Sequence, residues 1–321
     1  MRVLVSSKFR YFSIFIIATA FLVTGCNAAK KQVFDEGFAD AFKSVDVPIN
    51  DRFLSGGPEE KGELTQKTVK DSRAVEKFTE LSRKNPKSIL IDGNRMLVSD
   101  WVQRTLVSID MVTKKEAVFV PAIDFVSDMV KDRNGNIIAG LFTGEQVVTI
   151  DRSAKVTKIA GNLGKVSAVT VSPNNDIYAA SFDRGIVYKL SRDVSRDPEV
   201  LIDNLQNPAG LSFGSDGRLY ISQFSSSSES ILRFDVNVLT KEVFAIGISQ
   251  AARMVFVGPK LYIGGAEAGR AVIWSFDSLG NGEVLVAGEF DDPIVGPVGN
   301  GKYLYFGSSS GAEKNIYRIG I

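Results

Sequence analysis

The sequence predicts an all-β fold: a six-bladed β-propeller of four-stranded antiparallel blades, its ring closed by an N-terminal strand. Three observations predict it. A complete four-strand unit is legible between Asn207 and Ala245. The unit recurs, with its second strand centred near Met96, Ile137, Ile177, Leu219, Leu261 and Tyr303, a spacing of 40 to 42 residues. That is the period of a propeller blade. No long segment between the strands has the 3.6-residue period of a helix.

The unit that sets the pattern starts with Asn207-Pro208-Ala209-Gly210-Leu211-Ser212-Phe213, apolar and small, as a strand buried on both faces requires. Asp216-Gly217 is expected to supply the positive-φ residues of a tight hairpin. Leu219 to Ile221 form the second strand, Ser225 to Ser228 a loop, and Ile231 to Asp235 the third strand. Glu242 to Ala245 form the short fourth strand at the edge. Such a unit cannot bury both faces alone, so copies must stack around an axis.

Third strands follow in every copy, at Leu106 to Asp110, Val147 to Asp151, Ile186 to Leu190, Ile231 to Asp235, Val272 to Asp277 and Asn315 to Ile319. An Asp ends four of the six. Fourth strands follow at Ala117 to Val120, Val156 to Ala160, Glu199 to Ile202, Glu242 to Ala245 and Glu283 to Val286. The sixth copy stops at Ile321 without one, and an open edge must be covered. Ala74 to Leu81 is the expected cover, because Phe78 precedes Pro86 by the interval that separates Val200 from Pro208.

The chain divides into a leader at 1–25, an anchor, helix and linker at 26–73, and the propeller at 74–321. The leader has Arg2, Lys8 and Arg10, then an apolar core from Tyr11 to Val23, too short for a comfortable membrane span. It runs into Val23-Thr24-Gly25-Cys26, which resembles the bacterial lipoprotein signal. The resemblance implies cleavage before Cys26 and lipidation of its thiol, hence a membrane-bound envelope protein. Such cysteines carry more than one acyl chain, the number stable anchoring needs. Asn27 favours the outer membrane facing the periplasm in a Gram-negative cell; in a Gram-positive cell the signal means the cell surface. Cys26 is the only cysteine, so no disulfide forms within one chain.

Phe34, Phe38, Phe42 and Val45 recur at helical spacing, so Lys31 to Val45 is expected to form a short amphipathic helix. It packs on the propeller or docks a partner; Asp35, Glu36 and Asp40 argue against anionic lipid. Ser55-Gly56-Gly57-Pro58 and Glu59-Glu60-Lys61-Gly62 read as a solvated linker. A flexible linker of this length has a root-mean-square span of about 40 Å, enough to hold the domain clear of a bilayer.

Taking the three leader residues from 38 basic side chains leaves 35 against 37 acidic ones. This near-neutral mature chain has no basic stripe, which argues against nucleic acid. It contains no histidine. Ser-His-Asp and Cys-His catalysis and histidine metal sites are therefore excluded. Any metal must be held by oxygen, which means calcium or magnesium. Asp132-Arg133-Asn134-Gly135-Asn136 has the opening of a calcium loop, but Ile137 stands where a glycine is needed and no terminal Glu follows, so it reads as a hairpin turn. Gly299-Asn300-Gly301 fills the same hairpin slot in the sixth copy.

Asn207-Pro208-Ala209-Gly210-Leu211 with Asp216-Gly217-Arg218-Leu219-Tyr220 resembles the NHL-type and gluconolactonase-type propeller superfamily. Leu97-Val98-Ser99-Asp100 with Leu106-Val107-Ser108-Ile109-Asp110 resembles the related YVTN repeat. Together these likenesses cover the chain from about Ala74 onward. The lactonases of this superfamily hold a divalent cation in the central channel through a Glu of the first inner strand, Asn side chains and an Asp. Here that strand opens Asn85-Pro86-Lys87-Ser88 without the Glu, Asn207 matches one Asn position, and Gln223 stands where a carboxylate is wanted. Asp100, Asp128 and Asp183 are the acids left from which a different site would be built.

Propeller ligands bind at a mouth of the channel, lined by residues before the inner strands and by loops joining second and third strands. The candidates are Asp100, Trp101, Asp128, Phe142, Asp183, Arg184, Asn207, Gln223, Phe224, Arg253 and Glu267. Trp101 and Phe224 are read as apolar walls, or else as packing between blades. Arg253, at the narrow start of an inner strand, needs a carboxylate partner or an anionic ligand. Asp100 or Asp183 is its expected partner if the pairing is internal. The leading function is a membrane-anchored binding scaffold for a protein partner or a small polar ligand at the mouth. The alternative is a lactonase-like, cation-dependent hydrolase of a small molecule. A third reading is a sugar-binding module using rim aromatics.

Overall fold

The computed structural model describes residues 74–82, 86–225, 229–248, 250–267, 270–287, 294–308 and 315–321. The expected leader, Cys26, the helix from Lys31 to Val45 and the linker lie outside the described residues. The described chain forms six antiparallel sheets of four strands each. Their inner strands are Pro86–Asp92, Val126–Lys131, Val166–Val171, Pro208–Phe213, Met254–Val257 and Ile294–Gly299. Each inner strand touches the next around the circle, and the sixth returns to the first.

The sixth sheet is completed by Glu76–Glu80, which pairs antiparallel with Asn315–Gly320. The N-terminal strand therefore closes the ring, as the spacing of Phe78 predicts. Arg318 bridges to Glu76 at 2.7 Å, and Phe78 meets Tyr305 edge-on at 5.0 Å. Both ion-pair partners are substantially exposed, which limits the pair to about 0–1 kcal/mol. Burial of Leu81 outweighs it, at about 1.5–3 kcal/mol.

The cores lie between blades. Six apolar clusters are present among the described residues, one at each blade interface. One holds Leu97 and Leu106 of the first blade against Met129 and Ile137 of the second; another joins Ile89 and Val98 to Tyr305 and Ile316, across the closure. This is why both faces of each sheet read as apolar in the sequence.

Hydrogen bonds link neighbouring blades at one level of the ring. Ser127 Oγ donates to the Val166 carbonyl, Ser167 Oγ to that of Pro208, and Ser222 Oγ to that of Ala252. Trp101 makes the same step from the first blade to the second, its Nε1 donating to the Val126 carbonyl at 2.7 Å.

Four third strands run into an Asp, at or just past the strand's last residue, that caps the turn after it. Asp110 accepts from Val112 and Thr113, Asp151 from Ser153 and Lys155, Asp235 from Asn237 and Val238, and Asp277 from Leu279 and Asn281. Asp132 does likewise for Asn134 and Asn136, and Arg192 pairs with its buried carboxylate at 3.0 Å. The segment from Asp132 to Asn136 is thus a turn. The Asp216-Gly217 hairpin differs from expectation in one respect. Only Gly217 has a positive φ, 75°, while the Asp216 carboxylate accepts from the Arg218 N–H and the Tyr220 hydroxyl.

Candidate functional site at the channel and its mouth

The register of strand pairing aligns one residue of each inner edge at a common level in the channel. Pairing places Asp128, Ala168 and Gly210 there, and the equivalent position of the repeat falls at Ser88 and Pro297, within bulges of blades one and six, and at Arg253, whose carbonyl accepts from the Gly264 N–H in blade five. Only Asp128 and Arg253 carry a charge there. They belong to blades two and five, opposite each other in a ring of six. The Arg253 guanidinium forms an ion pair with Asp128, and its Nη1 donates to Ser88 Oγ at 2.6 Å. Asp128 also accepts from the N–H groups of Met129, at 2.7 Å, and of Val169 in blade three, at 3.0 Å.

Small neighbours make the crossing feasible. Ala168 and Gly210 leave the level open for a long side chain. Gly210 is also needed for blade contact, since a Cβ there would come within 2.4 Å of the Ala252 carbonyl oxygen. The side chains of Arg253 and Asp128 are 14% and 6% exposed, so the pair is shielded from water. Burial pushes the Asp128 carboxyl up from its ordinary range, while the guanidinium and the two N–H groups pull it down.

The expected partners of Arg253 were Asp100 or Asp183; the structure gives it Asp128. Asp100 is committed to its own loop, accepting from the N–H groups of Val102 and Gln103. Asp183 accepts from the Lys165 N–H at 2.8 Å and from the Ser181 hydroxyl. Asp100 ends the second strand of blade one and Asp183 follows that of blade three, both at the mouth and away from the aligned level of Arg253.

The mouth residues form two sets. Trp101, Phe142, Phe182 and Phe224 follow the second strands of blades one to four and make an arc, with successive ring centres 5.9, 6.3 and 6.3 Å apart. Trp101, Phe142 and Phe224 are buried. Two ammonium groups overlie the arc, Lys87 5.7 Å from the Trp101 ring and Lys165 5.8 Å from the Phe142 ring. Sequence reasoning missed these lysines, because each is over a dozen residues from its ring in chain order, Lys87 before Trp101 and Lys165 after Phe142.

The polar candidates lie among the loops. Asn207, with φ 47°, donates from Nδ2 to the Phe182 carbonyl. Gln223 is buried and accepts from the Gln206 N–H at 2.7 Å. Arg184 donates to the Asn162 carbonyl and reaches the Tyr188 hydroxyl. The side chain of Glu267 lies outside the described ones.

Asn207, Gln223 and Asp128 would be the natural oxygen donors for a channel cation. Here the Gln223 oxygen accepts a backbone N–H and Asp128 faces a guanidinium. Among the described residues, no three acidic side chains come together in a metal-holding group. The described donor set does not fit a calcium or magnesium centre.

Comparison with known proteins places the fold. No family model matches the sequence, and no curated protein does. Solved structures do. A gluconolactonase from Xanthomonas campestris superimposes with a TM-score of 0.64 at 15% identity, covering 84% of this chain and 99% of that one. Virginiamycin B lyase from Staphylococcus aureus gives 0.59 at 12% identity, over 77% of this chain and 99% of the lyase. A luciferin-regenerating enzyme gives 0.61 at 14% identity, over 78% and 95%. The chain is a six-bladed propeller similar in fold to the gluconolactonase-like and lyase propellers.

Proposed function

We propose that the protein is a lipid-anchored binding propeller of the bacterial envelope, which takes a polar ligand or partner at the channel mouth and catalyses no reaction. The observation that carries this reading is the Arg253–Asp128 pair. It places a permanent cation against the one carboxylate at the aligned level of the channel, leaving no free base or metal ligand there. At the mouth, Asp100 and Asp183 are used as loop caps, whereas Lys87 and Lys165 lie over the aromatic arc. That division of charge favours an anionic group on the ligand.

The anchor half of the reading rests on the leader and the box ending at Cys26. A thermal-shift screen of carboxylates, phosphates and divalent cations on the purified protein tests the binding half. Stabilisation by an anion, lost in Lys87→Ala and Lys165→Ala, is the expected result. Stabilisation by calcium or magnesium, with lactone hydrolysis that Asp128→Asn abolishes, would overturn it. That outcome would instead establish a lactonase-type hydrolase, the second reading, favoured by the fold shared with the Xanthomonas campestris gluconolactonase. The lyase comparison adds a chemical contrast. That enzyme is catalytically inactive when a histidine is replaced by alanine, and this sequence has no histidine.

A further inference from the structure

Exposed aliphatic side chains gather on the face opposite the mouth. The hairpins joining third to fourth strands carry Val112 in blade one, Val194 in blade three, Val238 and Leu239 in blade four, and Leu279 in blade five. These five are the most exposed large hydrophobics among the described residues, at 64–80%. The other exposed ones, all but Val102, lie on the fourth strands at the rim and are less exposed. Single exposed aliphatics are ordinary on any surface; the same hairpin tip exposing one in four blades of six is a pattern.

The turns are rigid at these points. Asp110, Asp235 and Asp277 cap them, so the tips project as fixed knobs. The closing strand locates the tether. Glu76 pairs with Arg318, and Arg318 lies near the end of the last strand that also meets Tyr303. Tyr303 opens directly from the hairpin at Asn300 to Lys302, on the face of the aliphatic tips. The chain therefore enters the propeller from that face, with 50 residues or fewer between Cys26 and Glu76.

We propose that this face rests on the lipid bilayer, with the tips of blades one, three, four and five set into the headgroup layer and the mouth turned away from the membrane. The inference rests on the lipid-anchor reading, which supplies the bilayer. The tips alternate with capped acids and with lysines such as Lys114 and Lys115, so the attraction is apolar and does not require anionic lipid.

The test uses the full-length lipidated protein in phosphatidylcholine vesicles. An environment-sensitive fluorophore is placed on Leu279→Cys or Val112→Cys, and on Thr143→Cys at the mouth as the opposite-face control. Blue-shifted emission and quenching by brominated acyl chains at 279 and 112, with neither at 143, are expected. Equal solvent exposure at all three, or quenching at 143, would overturn the orientation. A blue shift already present in detergent, with doubled hydrodynamic mass, would assign the face to a second copy and also overturn it. Labelling of Cys26 itself, or its unmodified mass, would report that the anchor reading had failed instead.

Discussion

Arg253 of blade five and Asp128 of blade two meet across the axis of the propeller, joined by Ser88 of blade one and the Val169 N–H of blade three. One ion pair thus ties four of the six blades at a single level. Its worth is better judged by what its breakage costs than by its presence. Removing one partner of a buried pair leaves an uncompensated charge, at about 3–5 kcal/mol, whereas replacing both by apolar groups is often neutral.

Arg253→Met alone should therefore lose about 3–5 kcal/mol, and Asp128→Leu combined with Arg253→Met should recover most of it. Chemical denaturation of the two single variants and the double variant reads the cycle. Additive losses would show that the pair does not act as a unit.

The closing strand predicts a failure of the whole ring. A chain beginning at Lys84 lacks Phe78 and Leu81, and leaves Asn315–Gly320 as an open edge. It should lose cooperative unfolding or aggregate. Circular dichroism and sizing of the shortened chain check this; a melting curve like that of the intact protein would refute the closure.

Two glycines should respond for different reasons. Gly217 has φ 75° and open space where a Cβ would sit, so Gly217→Val costs backbone strain alone, about 1–3 kcal/mol. Gly210 has no such φ, yet its Cβ would press on the Ala252 carbonyl and Ser222 Oγ. Gly210→Ala should cost about 1–3 kcal/mol through overpacking and should also disturb Arg253 beside it. Wild-type melting of either variant would refute the corresponding geometry.

Acid should unfold the domain through its turn caps. Hydrogen bonds from turn N–H groups and side chains hold Asp110, Asp151 and Asp235 below the ordinary 3.8. Their contribution is complete above that value and is lost as pH falls through the lower folded values. Asp128 acts in the opposite sense, because burial raises it, so its ionisation costs stability as pH rises through its folded value. Melting temperature should fall below pH 3.8, less steeply in a variant carrying Asp110→Asn and Asp151→Asn. An identical acid limb in that variant would remove these caps from the explanation.

On the proposed lipid anchor, Cys26→Ser should abolish lipidation and leave the leader uncleaved by the lipoprotein peptidase, because only the thiol accepts the diacylglyceryl group. Intact-mass measurement and detergent partitioning read both effects. Unchanged mass and partitioning would refute the lipoprotein proposal.

The blades were legible in the sequence because their information is local. Two-residue alternation, a turn glycine such as Gly217 and a strand-ending Asp such as Asp277 each act within a few residues, and the 40 to 42-residue repeat multiplies the signal. Phe78 even gave away the closing strand, since it keeps the repeat's interval ahead of Pro86. The sequence by itself also required a partner for Arg253, because a guanidinium in a narrow channel must be neutralised. It pointed to Asp100 or Asp183, which follow strand ends at the mouth, and passed over Asp128, which lies within an inner strand. That choice was made by the tertiary structure. Ring closure sets blade two opposite blade five, strand register brings Asp128 to the level of Arg253, and the loops consume Asp100 and Asp183 as caps. The aromatic arc has the same origin. Trp101, Phe142, Phe182 and Phe224 are 40 or so residues apart in the chain and become neighbours only because identical positions in successive blades stack around one axis.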